Sequence, residues 1–74
     1  MGAMNTYQFL VEPAVFAYDR FLITNDEPVK TLTTKAVSEK SARNNIRNRL
    51  HARIDYGDYC REPYSNRSYR LTLI

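Results

Sequence analysis

The chain has 74 residues, a single cysteine, no tryptophan and a formal net charge of +3. A domain of that length buries roughly 60% of the surface of its unfolded chain, so it is marginally stable or helped by a partner. Several classes are excluded: no apolar run approaches the ~18 residues of a membrane span, no signal-peptide core is present, and one cysteine builds neither an intrachain disulfide nor a multi-cysteine zinc site.

Met1 to Met4 (MGAM) reads as an expression scar followed by a native start, which leaves residues 5–74 as one α+β domain. Thr6–Val11 (TYQFLV) alternates Tyr7, Phe9 and Val11 on one face and predicts a strand ended by Pro13. Residues 14–24 (AVFAYDRFLIT) fit either a strand or a short helix opened by Pro13. Strand is favoured, because Phe21–Thr24 runs straight into the turn Asn25–Pro28. Val29–Val37 alternates Val29, Thr31, Thr33, Lys35 and Val37 against Lys30, Leu32, Thr34 and Ala36 and predicts a further strand.

The best-marked element follows, a helix over residues 38–54. Ser38 suits the N-cap, Glu39 the positive end of the helix dipole, and Arg49 and Arg53 the negative end. Ala42, Ile46 and Leu50 draw one narrow apolar stripe, so this helix should lie on a sheet with most of its circumference wet. Gly57 is the expected stop. Asp55–Asn66 reads as a polar, tyrosine-rich loop, and Ser68–Ile74 alternates as a closing strand. The predicted architecture is a three- to four-stranded, mostly antiparallel sheet covered by one main basic helix, in the order β-β-β-α-β, or β-α-β-α-β with a helix at 14–24. The last strand–helix–strand unit is a right-handed crossover if its strands run parallel.

Signals for catalysis are nearly absent. His51 has no second histidine for a metal, Cys60 with His51 lacks a third orienting group, and no glycine-rich phosphate loop occurs. Asp55, Asp58 and Glu62 are read as partners for Arg53 and Arg61 rather than as a cation site. No cofactor, no metal and no enzymatic activity are expected.

Charge is split between the halves. Residues 5–39 hold three cations against five acids, and residues 40–74 hold eight against three. Such a split points to a polyanion or an acidic partner. Lys40, Arg43, Arg47 and His51 fall on one helix flank with Asn44 and Asn48 beside them. Lys and Arg bind phosphates without strict spacing, and Asn adds bonds to backbone or base edges. The same flank also suits an acidic protein surface, or plain solvation. Further on, Tyr56, Tyr59, Tyr64 and Tyr69 interleave with Arg61, Arg67 and Arg70, a pattern that suits stacked bases, a protein hot spot, or tyrosines capping a small core. The candidate nucleic-acid or partner-binding set is Lys40, Arg43, Asn44, Arg47, His51, Tyr59, Arg61, Tyr64 and Arg67.

The run KAVSEKSARNNIRNRL (residues 35–50), entered from a Thr-rich strand, resembles small uncharacterised α+β proteins of bacterial phages, plasmids and integrated elements. The resemblance transfers no functional residue. It implies an accessory protein that binds nucleic acid or occupies a host protein. Two readings follow: a cytoplasmic, non-enzymatic nucleic-acid-binding module, or a protein-interaction domain that is an inhibitor or a homodimer.

Overall fold

The computed structural model describes residues 3–74; Met1 and Gly2, half of the expected scar, lie outside the described residues. The elements are β1 (Asn5–Ala17), β2 (Arg20–Ile23), β3 (Lys30–Ala36), α1 (Glu39–Arg49), β4 (Ile54–Tyr56), β5 (Tyr59–Arg61) and β6 (Arg67–Leu73). All pair antiparallel in one sheet of order β2-β1-β6-β5-β4, with β3 also on β1. The structure is thus α+β with one helix, but with six strands where three to four were expected.

The 13-residue β1 is the spine. One of its edges holds two strands in succession, β3 against residues 5–11 and β2 against residues 14–17, while the other edge holds β6. Pro13 does not end the strand as expected, and the register explains why. Gln8 accepts from Ile74 N–H and Phe16 N–H donates to Asn66, so even-numbered residues direct their backbone groups at β6. The donor that Pro13 lacks therefore falls on the opposite edge, opposite Thr24 at the very end of the β2 ladder, where the strand forgoes a single terminal bond. Its carbonyl still accepts from Thr24 N–H at 2.9 Å. Residues 14–23 are strand, cut only by a two-residue tip at Tyr18 and Asp19 with φ of 54° and 60°, and Thr24 follows the end of β2. Positive φ at both central residues is the hairpin turn whose twist matches paired strands.

The loop expected at Asp55–Asn66 holds a hairpin. Gly57, at φ +80°, turns β4 into β5, and its N–H donates to the Asp55 side chain at 2.7 Å. Strands of three residues leave almost no periodicity to read in the sequence. Because β3 and β6 are both antiparallel to β1, they run parallel to each other with β1 between them. The helical crossover therefore spans one strand rather than joining neighbours.

Helix α1 is capped as expected, with Ser38 Oγ accepting from Ser41 N–H at 3.2 Å. It is shorter than expected, ending at Arg49 rather than near residue 54. Ala52 N–H donates to Arg47 and His51 N–H to Asn48, the paired bonds of a Schellman stop. His51, at φ 57°, takes the left-handed position that glycine usually fills, which hid the stop from a glycine search.

The stripe Ala42, Ile46 and Leu50 packs on Phe9, Val11, Ala36, Ala52, Cys60, Tyr69 and Leu71 as one core between helix and sheet. Asn45 and Arg49 reach sideways and donate to the Lys35 and Thr33 carbonyls on the free edge of β3. Carbonyls engaged by helix side chains are poor templates for another chain's strand. Among the described residues, no helix is long and apolar enough to cross a membrane.

Candidate functional site

The helix flank singled out by sequence divides in two. Arg43 turns inward: it pairs with Glu39 at 2.9 Å and Asp58 at 3.7 Å, donates to the Leu71 carbonyl at 3.0 Å and lies over the Phe9 ring. Arg47 is only 6% exposed and pairs with Asp55 at 3.6 Å. The acids of the β4–β5 hairpin thus neutralise Arg43 and Arg47, not Arg53 and Arg61 as expected. Their guanidinium groups tie the hairpin to the helix and are poorly placed to meet an external phosphate.

What faces outward is Lys40, Asn44, Asn48, His51 and Arg53, all exposed. Lys40, Asn44 and Arg53 line one shallow depression with Arg47 and Asp55. A second depression, lined by Asn48, His51, Arg53 and Pro63, continues from it. Arg53 borders both, so the five side chains form one band along the helix and past its C-terminal end. Arg53 follows the Schellman stop and owes its position to it; the sequence places it only as a helix-end charge.

The tyrosine-rich segment is dispersed over the molecule. Tyr59 lies on the sheet face away from the helix, stacked on Phe21 with ring centroids 4.5 Å apart. Strands β2 and β5 are separated by β1 and β6, a gap of about 14 Å in a flat sheet. That end of the sheet must therefore curl strongly, gathering Phe16, Phe21, Tyr56 and Tyr59 into a second, half-exposed cluster. Arg61 lies against this cluster, over the Phe16 ring at 5.3 Å, and donates to the Ser65 carbonyl and the Tyr56 hydroxyl. Its Nε is buried without a partner among the described residues. The roles of Phe16 and Phe21 are not legible in the sequence, because Tyr56 and Tyr59, which complete the cluster, lie far along the chain. Arg67 pairs with Glu27 and Glu62 and donates to the Tyr69 hydroxyl. Tyr64 is fully exposed in the β5–β6 loop.

Of the nine candidates, then, Lys40, Asn44 and His51 share the outward band, while Arg43, Arg47 and Arg67 are held in internal ion pairs. Tyr59 and Arg61 belong to the opposite sheet face, and Tyr64 projects from the end of the sheet. Charge pairing sharpens the picture. Among the described residues Arg20, Lys30, Lys35, Lys40, Arg49, Arg53 and Arg61 have no carboxylate within ion-pair distance, whereas only Asp19 and Asp26 lack a cation. Internal pairing thus concentrates the small net charge into unpaired cations.

Cys60 is fully buried, and burial pushes its thiol up to about 11 from an ordinary 9.0. A neutral thiol without access is unsuited to nucleophilic attack. Between pH 9 and about 11 the unfolded chain loses the Cys60 proton while the folded chain keeps it, so stability should fall across that window. Burial raises the Tyr69 hydroxyl above its usual 10.0 and adds to the same loss. Chemical denaturation at stepped pH should show the midpoint falling above pH 9, and Cys60→Ala should flatten the first part of the fall. No group of three or more His, Cys, Asp or Glu side chains able to hold a metal ion occurs among the described residues.

Comparison of this chain with known protein families, curated proteins and solved structures finds no match.

Proposed function

We propose that the chain is a small non-enzymatic binding module that contacts nucleic acid through the band Lys40, Asn44, Asn48, His51 and Arg53. The observation that carries this reading is the surplus of unpaired cations, two of which border the band with amide and imidazole donors between them. Phosphates need positive charge without strict spacing, and asparagine supplies neutral donors to the same backbone. A buried, inert thiol and the absence of other cysteines are compatible with a reducing cytoplasm. The proposal fits an accessory protein of the mobile-element kind that residues 35–50 resemble.

The aromatic face supports a second reading. Phe16, Phe21, Tyr56 and Tyr59 gather on a sheet face with no helix over it, and aromatic rings beside arginine are favoured in protein interfaces. Salt separates the two. Nucleic-acid contact should weaken with a log–log slope of about one unit per neutralised phosphate. A protein interface on the aromatic face should be nearly indifferent to salt. Titration with single- and double-stranded DNA and RNA at two salt concentrations tests the first reading, and no binding at low salt would remove it.

A further inference from the structure

The described residues include four non-glycine positions with left-handed backbone: Tyr18 (φ 54°), Asp19 (60°), His51 (57°) and Tyr64 (63°). Such backbone is uncommon for any L-residue and a true outlier for a bulky one. Tyr18, Asp19 and Tyr64 stand at one end of the sheet. Phe16 N–H donates to the Asn66 carbonyl at 3.0 Å, so the β1–β2 tip, two residues on, and Tyr64, two residues back, leave the sheet together. Pro63, next to Tyr64, lines one depression with His51 and Arg53.

The tyrosines are the telling pair. Tyr64 is fully exposed and Tyr18 is 88% exposed, so neither ring contributes much to packing. Glycine would hold both turns with less strain, and the chain uses glycine in that way at Gly57. Neither the backbone nor the core explains two tyrosines there. Around them stand Arg20 and Arg53 without a carboxylate partner, one unpaired acid, Asp19, and the polar residues Ser65 and Asn66.

We infer that this end of the sheet is a stacking site for the unpaired bases of single-stranded nucleic acid, with Tyr18 and Tyr64 as the stacking rings and Arg53 and Arg20 on the phosphates. The inference rests on the nucleic-acid reading above and names its ligand class. Exposed rings beside guanidinium groups bind single strands with little regard to sequence, because every base offers a π-face. A duplex hides those faces. A protein hot spot would need an apolar, water-excluding surround, and the loop tips offer mainly polar neighbours.

The test uses glycine, which relieves the strain while deleting the ring. Labelled oligo-dT, oligo-U and a duplex of equal length are titrated at low salt with the parent chain, Tyr18→Gly, Tyr64→Gly and the double variant. Unfolding midpoints are measured in parallel. The expected result is single-strand affinity falling about 5- to 150-fold per ring removed, duplex affinity unchanged, and a midpoint equal or higher. The loss should appear in whichever strand the parent binds, and the better-bound strand identifies the sugar. Glycine variants that bind single strands as tightly as the parent would overturn the stacking site and leave the nucleic-acid reading intact. A lowered midpoint would overturn it too, by giving the tyrosines a structural role. No binding of any probe by the parent would overturn both.

Discussion

Replacing Lys40 and Arg53 together by alanine should lower the salt-dependence slope of nucleic-acid binding by about two log–log units while leaving the unfolding midpoint unchanged. Both side chains are exposed, neither has a carboxylate partner, and both border one depression. Removing them should cost affinity and nothing in the fold. Arg47, about one turn of helix from Asn44, should behave the opposite way. It is buried, and its one acid, Asp55, is more than half exposed. Asp55→Ala leaves a guanidinium without its counter-charge in a poorly hydrated place and should cost about 1–3 kcal/mol. Arg47→Met removes the charge and keeps the buried stem, so it should fall within about 1 kcal/mol of neutral or stabilise. Binding isotherms and urea midpoints on the four proteins would check this. A slope lost in Arg47→Met but retained in Lys40→Ala/Arg53→Ala would move the interface inward and refute the assignment.

The same contrast shows what a sequence displays and what it conceals. The N-cap at Ser38 and the stripe Ala42, Ile46 and Leu50 are local, repeated at helical spacing, and were found where the pattern put them. The pairing of Arg43 and Arg47 with Asp58 and Asp55 depends on a hairpin whose strands are three residues long. Nothing local announces that hairpin, so a flank that looks like a row of free cations becomes half structural once the chain folds back. Pro13 misled for a related reason. A proline is tolerated where its missing donor falls at the end of a ladder, and the change of partner from β3 to β2 along one edge is visible only in the assembled sheet. The end of α1 was concealed by residue type, since His51 occupies the place of a glycine. The candidate site inherits these limits: Lys40, Asn44 and His51 could be read from helical spacing, while Arg53 joined them only through that stop.

Phe9→Ala should bring the domain close to unfolding, with an expected loss of about 3–5 kcal/mol. Phe9 is fully buried at the centre of β1, where the strand carries β3 on one edge and β6 on the other. Its ring packs in the single core beneath α1 and lies under the Arg43 guanidinium at 5.2 Å. A chain of this length has roughly 4–11 kcal/mol of stability in total, so one cavity of that size removes a large share of it. Phe21→Ala makes the control. Phe21 stacks on Tyr59 and meets Tyr56 edge to face, but its cluster is half-exposed and no helix covers it, so collapse of the neighbouring rings and entry of water should limit the cost to about 1–2 kcal/mol. Urea denaturation of the two variants measures the difference directly. Equal losses would mean that the curled aromatic face is a second core of the same standing as the first. A uncovered surface that matters that much to folding would be a poor candidate for a face kept free to receive a protein.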